Sequence, residues 1–272
     1  MPLLKSIELP TGVALPYAEH GHPRGVPVLL LHGVTDSWRS FEPVLPHLPP
    51  TLHAFAITQR GHGEATHSAS GYRTRDFAAD IAAFIETVQL DAPVVVGHSM
   101  GSVNAMRFAI DNPDRLRGLV LVGSFASFRK NPGIVEFWET GVSKLEDPID
   151  PAFAREFQVS TLAKPVAPEF LDMVVGESLK VPAHVWKAAF AGFLEDDFAS
   201  EIGKIRVPTW IVWGDRDAFC PRADQDQLLA TIPGSRLSIY EGCGHALHWE
   251  EPKRFALELA VFVESISKKG RR

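Results

Sequence analysis

Short runs of apolar residues recur along the chain, and each leads into a turn that contains glycine. The runs occupy residues 28–31, 54–57, 94–96, 119–122, 209–213 and 237–240. Such runs, rich in β-branched residues, are typical of strands buried on both faces, as in parallel sheets. Longer segments with apolar residues at helical spacing lie between or after them, at 77–88, 100–110 and 255–266. This alternation predicts an α/β fold with a mostly parallel, doubly wound sheet.

Residues 125–200 break the alternation. They contain no clear buried strand, and prolines interrupt their helical patterns. They hold eleven of the chain's 26 aromatic residues, nine Phe and two Trp. We therefore predict a core domain formed by residues 1–124 and 201–272, and a helical cap, or lid, formed by residues 125–200. Most of the cap's aromatic side chains are expected to pack it onto the core, and a minority to line a pocket.

A G-x-S-x-G motif, GHSMG at 97–101, stands between a predicted strand and a predicted helix. A serine on this sharp turn presents its hydroxyl at the carboxyl end of the sheet. The two glycines allow the strand and the helix to approach where a side chain would collide. Free N–H groups at the helix N-terminus direct partial positive charge toward the reacting atoms. The motif predicts that Ser99 is a catalytic nucleophile.

A serine nucleophile needs a base, and the chain has eleven histidines. His245 follows the last predicted strand, and a loop at the carboxyl edge of a parallel sheet can reach Ser99. We predict His245 as the base, with His248 as the alternative; otherwise His248 is expected to cap or pack the last helix. His98 adjoins Ser99 but is expected to point to the other side of the turn. Further histidines lie in loops after earlier strands: His32, His62 and His67.

The acid that orients the base is expected between the serine and the histidine in the chain order of this fold. The run at 209–213 is followed by Gly214-Asp215-Arg216-Asp217. We predict that Asp217 orients His245 and stabilises its imidazolium form. Asp215 is expected to hold the turn through hydrogen bonds to the backbone.

Two backbone amides are predicted to stabilise the negative charge of the transition state. The run at 28–31 leads into His32-Gly33-Val34. An oxyanion hole in this architecture uses one N–H from this loop and one from the residue after the nucleophile. These positions are Val34 and Met100. Each such donor typically lowers the barrier by about 3 kcal/mol.

Together these segments resemble the α/β-hydrolase superfamily, over roughly residues 10–266. The resemblance rests on HG at 32–33, RGHG at 60–63, GHSMG at 97–101, GDRDAFCP at 214–221 and GCGHALHWEEP at 242–252. It implies Asp217, four residues before a proline, as the acid, and His245, ahead of an E-x-P sequence, as the base. It also implies a helical lid after the sixth strand, which matches residues 125–200. Cofactor-free bacterial serine esterases and lactonases are the most similar in appearance.

The chain departs from some branches of this superfamily. Epoxide hydrolases and haloalkane dehalogenases of this fold use aspartate where this chain has Ser99, so we set them aside. Carbon–carbon bond hydrolases usually carry a loop rich in glycine and proline after HG, whereas this chain has VTDSW at 34–38. The family's D-x-R-G-x-G-x-S segment is TQRGHGEA at 58–65. This last change is expected to affect loop structure more than the predicted catalytic triad of Ser99, His245 and Asp217.

We therefore predict a hydrolase that cleaves carboxylic esters or lactones through an acyl-enzyme on Ser99. A carbon–carbon bond hydrolase, or a perhydrolase or haloperoxidase-like enzyme, on the same triad is an open alternative. A ligand receptor of the same fold with slow turnover is another, because fold alone does not determine function. The apolar cap indicates a small, uncharged and fairly hydrophobic substrate.

Composition limits the partners and the location. The formal net charge of -6 disfavours a nucleic-acid partner. No stretch approaches the roughly 18 apolar residues of a membrane span, so no membrane partner is expected. Two cysteines in 272 residues indicate a reducing compartment, and we expect a cytoplasmic protein. The sequence leaves the oligomeric state open. The basic residues at 268–272 are expected to form a solvated end.

No cofactor and no metal ion are implied by these motifs. Cys220 and Cys243 lie close in sequence to Asp217 and His245, so a zinc site can be imagined there. The spacing matches no common zinc pattern, and a metal ion would consume the triad. We expect free, packed thiols rather than a zinc site or a disulfide.

Overall fold

A computed structural model describes residues 2–129 and 131–269 of the chain, with the side chains of 268 and 269 left out. The side chains of the basic end at 268–272 therefore lie outside the described residues. The strands are β1 Leu3–Glu8, β2 Ala14–Gly21, β3 Val26–Leu31, β4 Leu52–Ile57, β5 Val94–His98, β6 Gly118–Val122, β7 Thr209–Gly214 and β8 Arg236–Tyr240. The helices are α1 Thr74–Thr87, α2 Met100–Asp111, α3 Pro132–Thr140, α4 Pro151–Ser160, α5 Pro168–Leu179, α6 Ala183–Glu195, α7 Arg222–Thr231, α8 Leu247–Glu250 and α9 Pro252–Lys269.

Within the described residues, eight strands form one sheet in the order β1-β2-β4-β3-β5-β6-β7-β8. The six strands from β3 to β8 run parallel to one another. All six apolar runs that predicted strands lie in them, so the predicted α/β fold with a mostly parallel sheet is confirmed. The carboxyl ends of these strands share one edge of the sheet, where loops from distant parts of the chain meet.

The apolar pattern does not predict the first two strands, β1 and β2. They pair antiparallel with each other, and β2 pairs antiparallel with β4. β1 is an edge strand whose Leu3 and Leu4 are exposed, so burial imposes no pattern on it. β2 contains Pro16, which is rare in a strand interior and hides the strand signal.

The pleat of the parallel strands divides the core into two layers. In β3, Leu29 and Leu31 pack on one face of the sheet, against α1 and α2. Val28 and Leu30 pack on the other face, against α9. These side chains are fully buried, and each contributes about 1.5–3 kcal/mol relative to an exposed position. Helices therefore cover both faces, as a doubly wound sheet requires.

The segment between β6 and β7 contains α3, α4, α5 and α6, and no strand is found among its described residues. Three of the prolines expected to interrupt helices instead begin them: Pro132, Pro151 and Pro168. Proline is favoured at the first helical position because its missing N–H would have no partner there. Among the described residues, no helix combines the length and the apolar composition that crossing a membrane requires.

The turn from β5 into α2 depends on two glycines. A Cβ atom on Gly97 would lie 2.2 Å from the carbonyl oxygen of Gly101. A Cβ atom on Gly101 would lie 2.3 Å from the carbonyl oxygen of Leu31. These atoms belong to the backbone and cannot rotate away. The close approach of strand and helix therefore requires glycine at both positions.

Two helical glycines are expected to respond to alanine in opposite ways. Gly176→Ala should raise the free energy of unfolding by about 0.5–1 kcal/mol, because alanine is the better helix former. Apart from its chain neighbours and the nearby backbone of its own helix, no atom of the described residues lies within 4 Å of the Cβ that alanine would add. Gly101→Ala should lower that free energy by about 3 kcal/mol or more through overpacking. Urea unfolding of both variants tests this, and shifts in the same direction would contradict it.

Several buried histidines lie near the carboxyl edge of the sheet. Among them are His62 after β4, His98 at the end of β5 and His248 in α8. Burial lowers the pKa of each: to about 4 for His62, to about 3 for His248, and well below the usual range for His98. The folded protein therefore keeps these rings neutral at pH values where the unfolded chain binds protons.

The substitution His248→Gln is expected to flatten the pH dependence of stability. Between about pH 6.5 and pH 4 the unfolded chain protonates His248, so acid favours unfolding. Glutamine can still bond Ser40 but cannot take up that proton. The slope of the unfolding free energy against pH should fall by up to about 1.4 kcal/mol per pH unit.

Urea titrations at pH 5, 5.5, 6 and 6.5 measure this slope. The exposed His47→Gln serves as the matched control. An unchanged slope in folded His248→Gln protein would show that the ring does not resist protonation.

Candidate active site

The loops that follow β3, β5 and β8 surround one cavity, which holds about 450 Å³ of space between atoms, part of it open to solvent. Three of the predicted site residues line it: Val34, Ser99 and His245. Asp217, in the loop after β7, reaches the site through His245. The strand order puts these strand ends side by side, so the sheet brings the predicted residues together.

Ser99 has the strained backbone of a sharp strand-to-helix turn. Its φ is 50° and its ψ is -117°, a region that non-glycine residues rarely adopt. Strain of this kind costs of order 1–3 kcal/mol and persists only where the surroundings enforce it. Here the Ser99 N–H donates to Val122 O at 2.9 Å, and the Ser102 N–H donates to Ser99 O at 2.8 Å. Neighbouring backbone thus fixes the serine at the cavity.

His245 and Asp217 form a buried hydrogen-bonded pair. His245 Nδ1 lies 2.8 Å from Asp217 Oδ2, and the Asp217 side chain is fully buried. The other carboxylate oxygen, Oδ1, accepts hydrogen bonds from the N–H groups of Phe219 and Cys220. Both oxygens are therefore held, which fixes the carboxylate against the imidazole. Gly123 leaves room for the ring, because a Cβ there would lie 2.9 Å from His245 Nδ1.

In the described part of the chain, no hydrogen bond joins Ser99 Oγ to His245. Both side chains nevertheless line the same cavity. In free enzymes such catalytic contacts are often long and tighten only with substrate bound. Asp215, the competing acid, turns away from this pair: its carboxylate accepts a hydrogen bond from the Gly242 N–H at 2.6 Å. It braces the turn, as expected.

The two predicted oxyanion amides are free to bind a ligand. Neither the Val34 N–H nor the Met100 N–H donates to another group among the residues that the structure describes. Thr35, which follows Val34, has a positive φ of 69°. This unusual conformation bends the loop after β3 at the cavity. Val34, whose N–H has no partner among the described residues, therefore lines the same cavity as Ser99.

His98 is buried at the edge of the cavity, and its ring centroid lies 4.9 Å from the His245 ring and 4.5 Å from the His248 ring. Its expected orientation, to the other side of the turn from Ser99, stays a prediction. His98 Nε2 lies 3.2 Å from the backbone oxygen of His245. His248 lies behind it, with Nε2 3.1 Å from Ser40 Oγ. The His98 and His248 rings therefore pack between the His245 loop and the core.

Cys220 comes near the pair, and both cysteines are buried free thiols. Donor atoms of Asp217, Cys220 and His245 lie within 4.8 Å of one another. A metal ion there would need the His245 nitrogen and the Asp217 oxygen that already bond each other. Burial also raises the pKa of the Cys220 thiol well above its usual range, which disfavours the thiolate that binds metals. The geometry suits a triad better than a metal centre.

The predicted cap contributes one apolar side of the cavity. Its apolar lining residues are Phe128, Ile134, Phe157, Phe190 and Phe193. Four of its eleven aromatic residues thus line the cavity, while most pack elsewhere. The motifs do not predict these positions, because nothing in a helical pattern tells a residue that faces a cavity from one that faces the core.

Glu250 ties the predicted cap to the His245 loop. Its Oε1 accepts hydrogen bonds from the N–H groups of Ala163 and Lys164, at 2.6 and 2.9 Å. Its Oε2 accepts one from the Gly244 N–H at 2.9 Å. The same carboxylate therefore bonds residues of the predicted cap and of the loop that carries His245. Glu250 was part of the E-x-P pattern in the sequence, but the pattern does not predict this bridge.

Two polar residues in the cavity were also not predicted. Asp36, after β3, and Gln158, in α4, line it and contact each other. Burial raises the pKa of Asp36 to about 7, although hydrogen bonds from Gln158 and Ser40 oppose the shift. They are 122 residues apart in sequence, so no local motif could have paired them.

Comparison with known proteins agrees with this architecture. A family model described as alpha/beta hydrolase fold matches residues 26–252. A pimeloyl-(acyl-carrier protein) methyl ester esterase of Neisseria meningitidis is 27% identical over 247 residues, covering 88% of this chain and 77% of that protein. A 2-hydroxy-6-oxo-2,4-heptadienoate hydrolase of Pseudomonas putida is 29% identical over 255 residues, covering 87% of this chain and 88% of that protein.

A solved structure shares the fold over nearly the whole chain. It is an esterase from Exiguobacterium antarcticum, with a TM-score of 0.85 and 22% identity, covering 96% of this chain and all of that one. At this identity the likeness concerns the fold alone. The family match spans most of the chain, and it includes the strands that carry Ser99, Asp217 and His245. The chain therefore belongs to the alpha/beta hydrolase fold family, whose members include hydrolytic enzymes.

Proposed function

We propose that this chain is a serine hydrolase that cleaves carboxylic esters or lactones. The observation that carries the proposal is the arrangement of three side chains. Ser99 stands on a strained turn in the same cavity as His245, and His245 Nδ1 lies 2.8 Å from the buried carboxylate of Asp217. A nucleophile, a base and an orienting acid are the groups that acyl transfer requires.

In the proposed acylation step, Ser99 Oγ attacks the substrate carbonyl carbon. His245 Nε2 takes the hydroxyl proton, while Asp217 holds the ring by Nδ1 and stabilises its positive charge. The carbonyl oxygen becomes an oxyanion that accepts hydrogen bonds from the Val34 and Met100 amides. His245 then gives its proton to the leaving alcohol. The carbon–oxygen bond breaks, and the acyl group remains on Ser99.

Deacylation repeats the sequence with water. His245 removes a proton from water, which attacks the acyl carbon, and the same amides hold the second oxyanion. Ser99 leaves with the proton from His245, and the carboxylic acid is released. Residues 125–200 act in this proposal as a cap on the core formed by 1–124 and 201–272. Their phenylalanines exclude water and favour an uncharged, fairly hydrophobic small molecule.

Carbon–carbon bond hydrolysis on the same triad is the second candidate. The 29% identity to the 2-hydroxy-6-oxo-2,4-heptadienoate hydrolase favours it. The identity to the methyl ester esterase, 27%, is similar, so sequence likeness does not rank the two. Perhydrolase activity would use the same groups with peroxide in place of water. A receptor with slow turnover would bind without appreciable product release.

Hydrolysis of p-nitrophenyl esters from C2 to C12 is expected to be saturable, with an optimum that reports the size of the cavity. Ser99→Ala should lose at least about 10³-fold in kcat, because no nucleophile remains. The exposed Ser265→Ala is the matched control and should retain activity. Activity that survives in Ser99→Ala would contradict the proposal. Turnover of a vinylogous diketone but of no ester would favour carbon–carbon cleavage.

Asp217→Asn is expected to lower kcat by about 10³- to 10⁴-fold without unfolding the protein. An amide is nearly the same size but cannot stabilise the imidazolium or hold the productive tautomer. Steady-state kinetics on the best ester measure the effect. The exposed Asp172→Asn serves as the control for the same chemical change. A loss of less than tenfold in Asp217→Asn would show that Asp217 does not serve the base.

A further inference from the structure

One side of the cavity is polar although the rest of it is largely apolar. Asp36 and Gln158 lie there, and their residues are only 3% and 1% exposed. Asp36 stands two residues after Val34, and Gln158 stands next to the cavity-lining Phe157. Neither has a role in the acyl-transfer steps above. Polar side chains buried at this depth need partners, so each hydrogen-bonding atom can be accounted for.

The Gln158 amide is only half satisfied. Its Nε2 donates to Asp36 Oδ1 at 2.9 Å and to Ser178 Oγ at 2.8 Å. Its Oε1 is buried and has no hydrogen-bond partner among the described residues. A buried acceptor without a donor destabilises the protein unless a ligand or water supplies one.

Asp36 is also short of donors. Among the described residues, its Oδ2 accepts a hydrogen bond only from the Ser40 hydroxyl, at 3.4 Å, which is long for a hydrogen bond between oxygens. That hydroxyl lies closer to His248 Nε2, at 3.1 Å. No lysine or arginine in the described part of the chain forms an ion pair with Asp36. The carboxyl group therefore lines the cavity with no lysine or arginine partner among the described residues, and His245 is a titratable group whose charge acts on it.

A hydroxyl group fits both free positions. It can donate to Gln158 Oε1 or to the carboxylate form of Asp36, and it can accept from the carboxylic acid form. Because burial brings the pKa of Asp36 to about 7, both forms exist near neutral pH. An ammonium group would have to give up far more hydration to enter this cavity. A methyl group would leave the acceptors unpaired.

We propose that Asp36 and Gln158 form a polar subsite that binds a hydroxyl group of the ester substrate. This inference rests on the proposed esterase function and narrows its substrate class to hydroxylated esters. Two residues span at most about 7 Å, so Asp36 lies close to the Val34 amide that holds the carbonyl oxygen. The hydroxyl group therefore lies within a few bonds of the ester carbonyl.

Matched pairs of esters test the subsite. One pair places the hydroxyl on the acyl side: p-nitrophenyl butanoate and p-nitrophenyl 3-hydroxybutanoate. The other places it on the alcohol side: ethyl butanoate and 2-hydroxyethyl butanoate. For each pair, kcat/KM of the hydroxylated ester is divided by kcat/KM of the unsubstituted ester, after correction for spontaneous hydrolysis. This ratio is expected to exceed about 10 in one pair. Ratios near one in both pairs would overturn the subsite, as would faster turnover of the corresponding 3-amino ester.

Gln158→Met removes the free acceptor while keeping an unbranched side chain of similar length. The ratio is expected to fall at least about fivefold toward one, whatever happens to the absolute rates. The exposed Gln227→Met is the matched control and should keep the wild-type ratio. An undiminished ratio in folded Gln158→Met protein would overturn the role of Gln158. If that variant does not fold, Asp36→Leu, which is similar in size and removes both the acceptors and the acid, provides the same test.

The four esters distinguish failure of the subsite from failure of the esterase proposal. If all four esters are hydrolysed without preference, the subsite is wrong and the esterase proposal stands. If none is hydrolysed by folded wild-type protein, the esterase proposal fails and the subsite inference fails with it. Inhibition of the wild-type enzyme by 3-hydroxybutanoate and by butanoate gives an independent measure. Equal inhibition constants would count against a hydroxyl site on the acyl side.

Discussion

The close approach of β5, α2 and the end of β3 is the constraint on which the site depends. Two backbone carbonyls occupy the space that side chains at Gly97 and Gly101 would need. At this contact Ser99 has a positive φ and lines the cavity. The Met100 amide stands at the start of the helix and has no partner in the described part of the chain. One steric condition thus sets the nucleophile and one proposed oxyanion donor together.

The remaining groups come from separate strand ends, and the sheet order makes them neighbours. Asp217 and His245 follow β7 and β8. Backbone N–H groups hold one oxygen of the Asp217 carboxylate, and the other oxygen bonds the His245 ring. Glu250 then links the His245 loop to residues of the predicted cap.

Sequence could predict the parallel strands, because burial on both faces leaves a strong apolar pattern. It could also predict which segments supply Ser99, Asp217 and His245, because their turns have fixed local requirements. It could not predict β1 or β2, whose exposure and proline weaken that pattern. The sequence could not predict the side-chain environment of Asp36 either. Its partner in α4 is 122 residues away, and only the packing of the insertion brings them together.

Covalent labelling tests the central claim, that Ser99 is an activated nucleophile, most directly. Wild-type protein is treated with a fluorophosphonate, and the modified residue is mapped by peptide mass spectrometry. We expect a single adduct on Ser99, formed much more slowly by His245→Gln protein. An adduct on another residue, or none on folded wild-type protein, would contradict it. Equal labelling rates in the two proteins would show that His245 does not activate the serine.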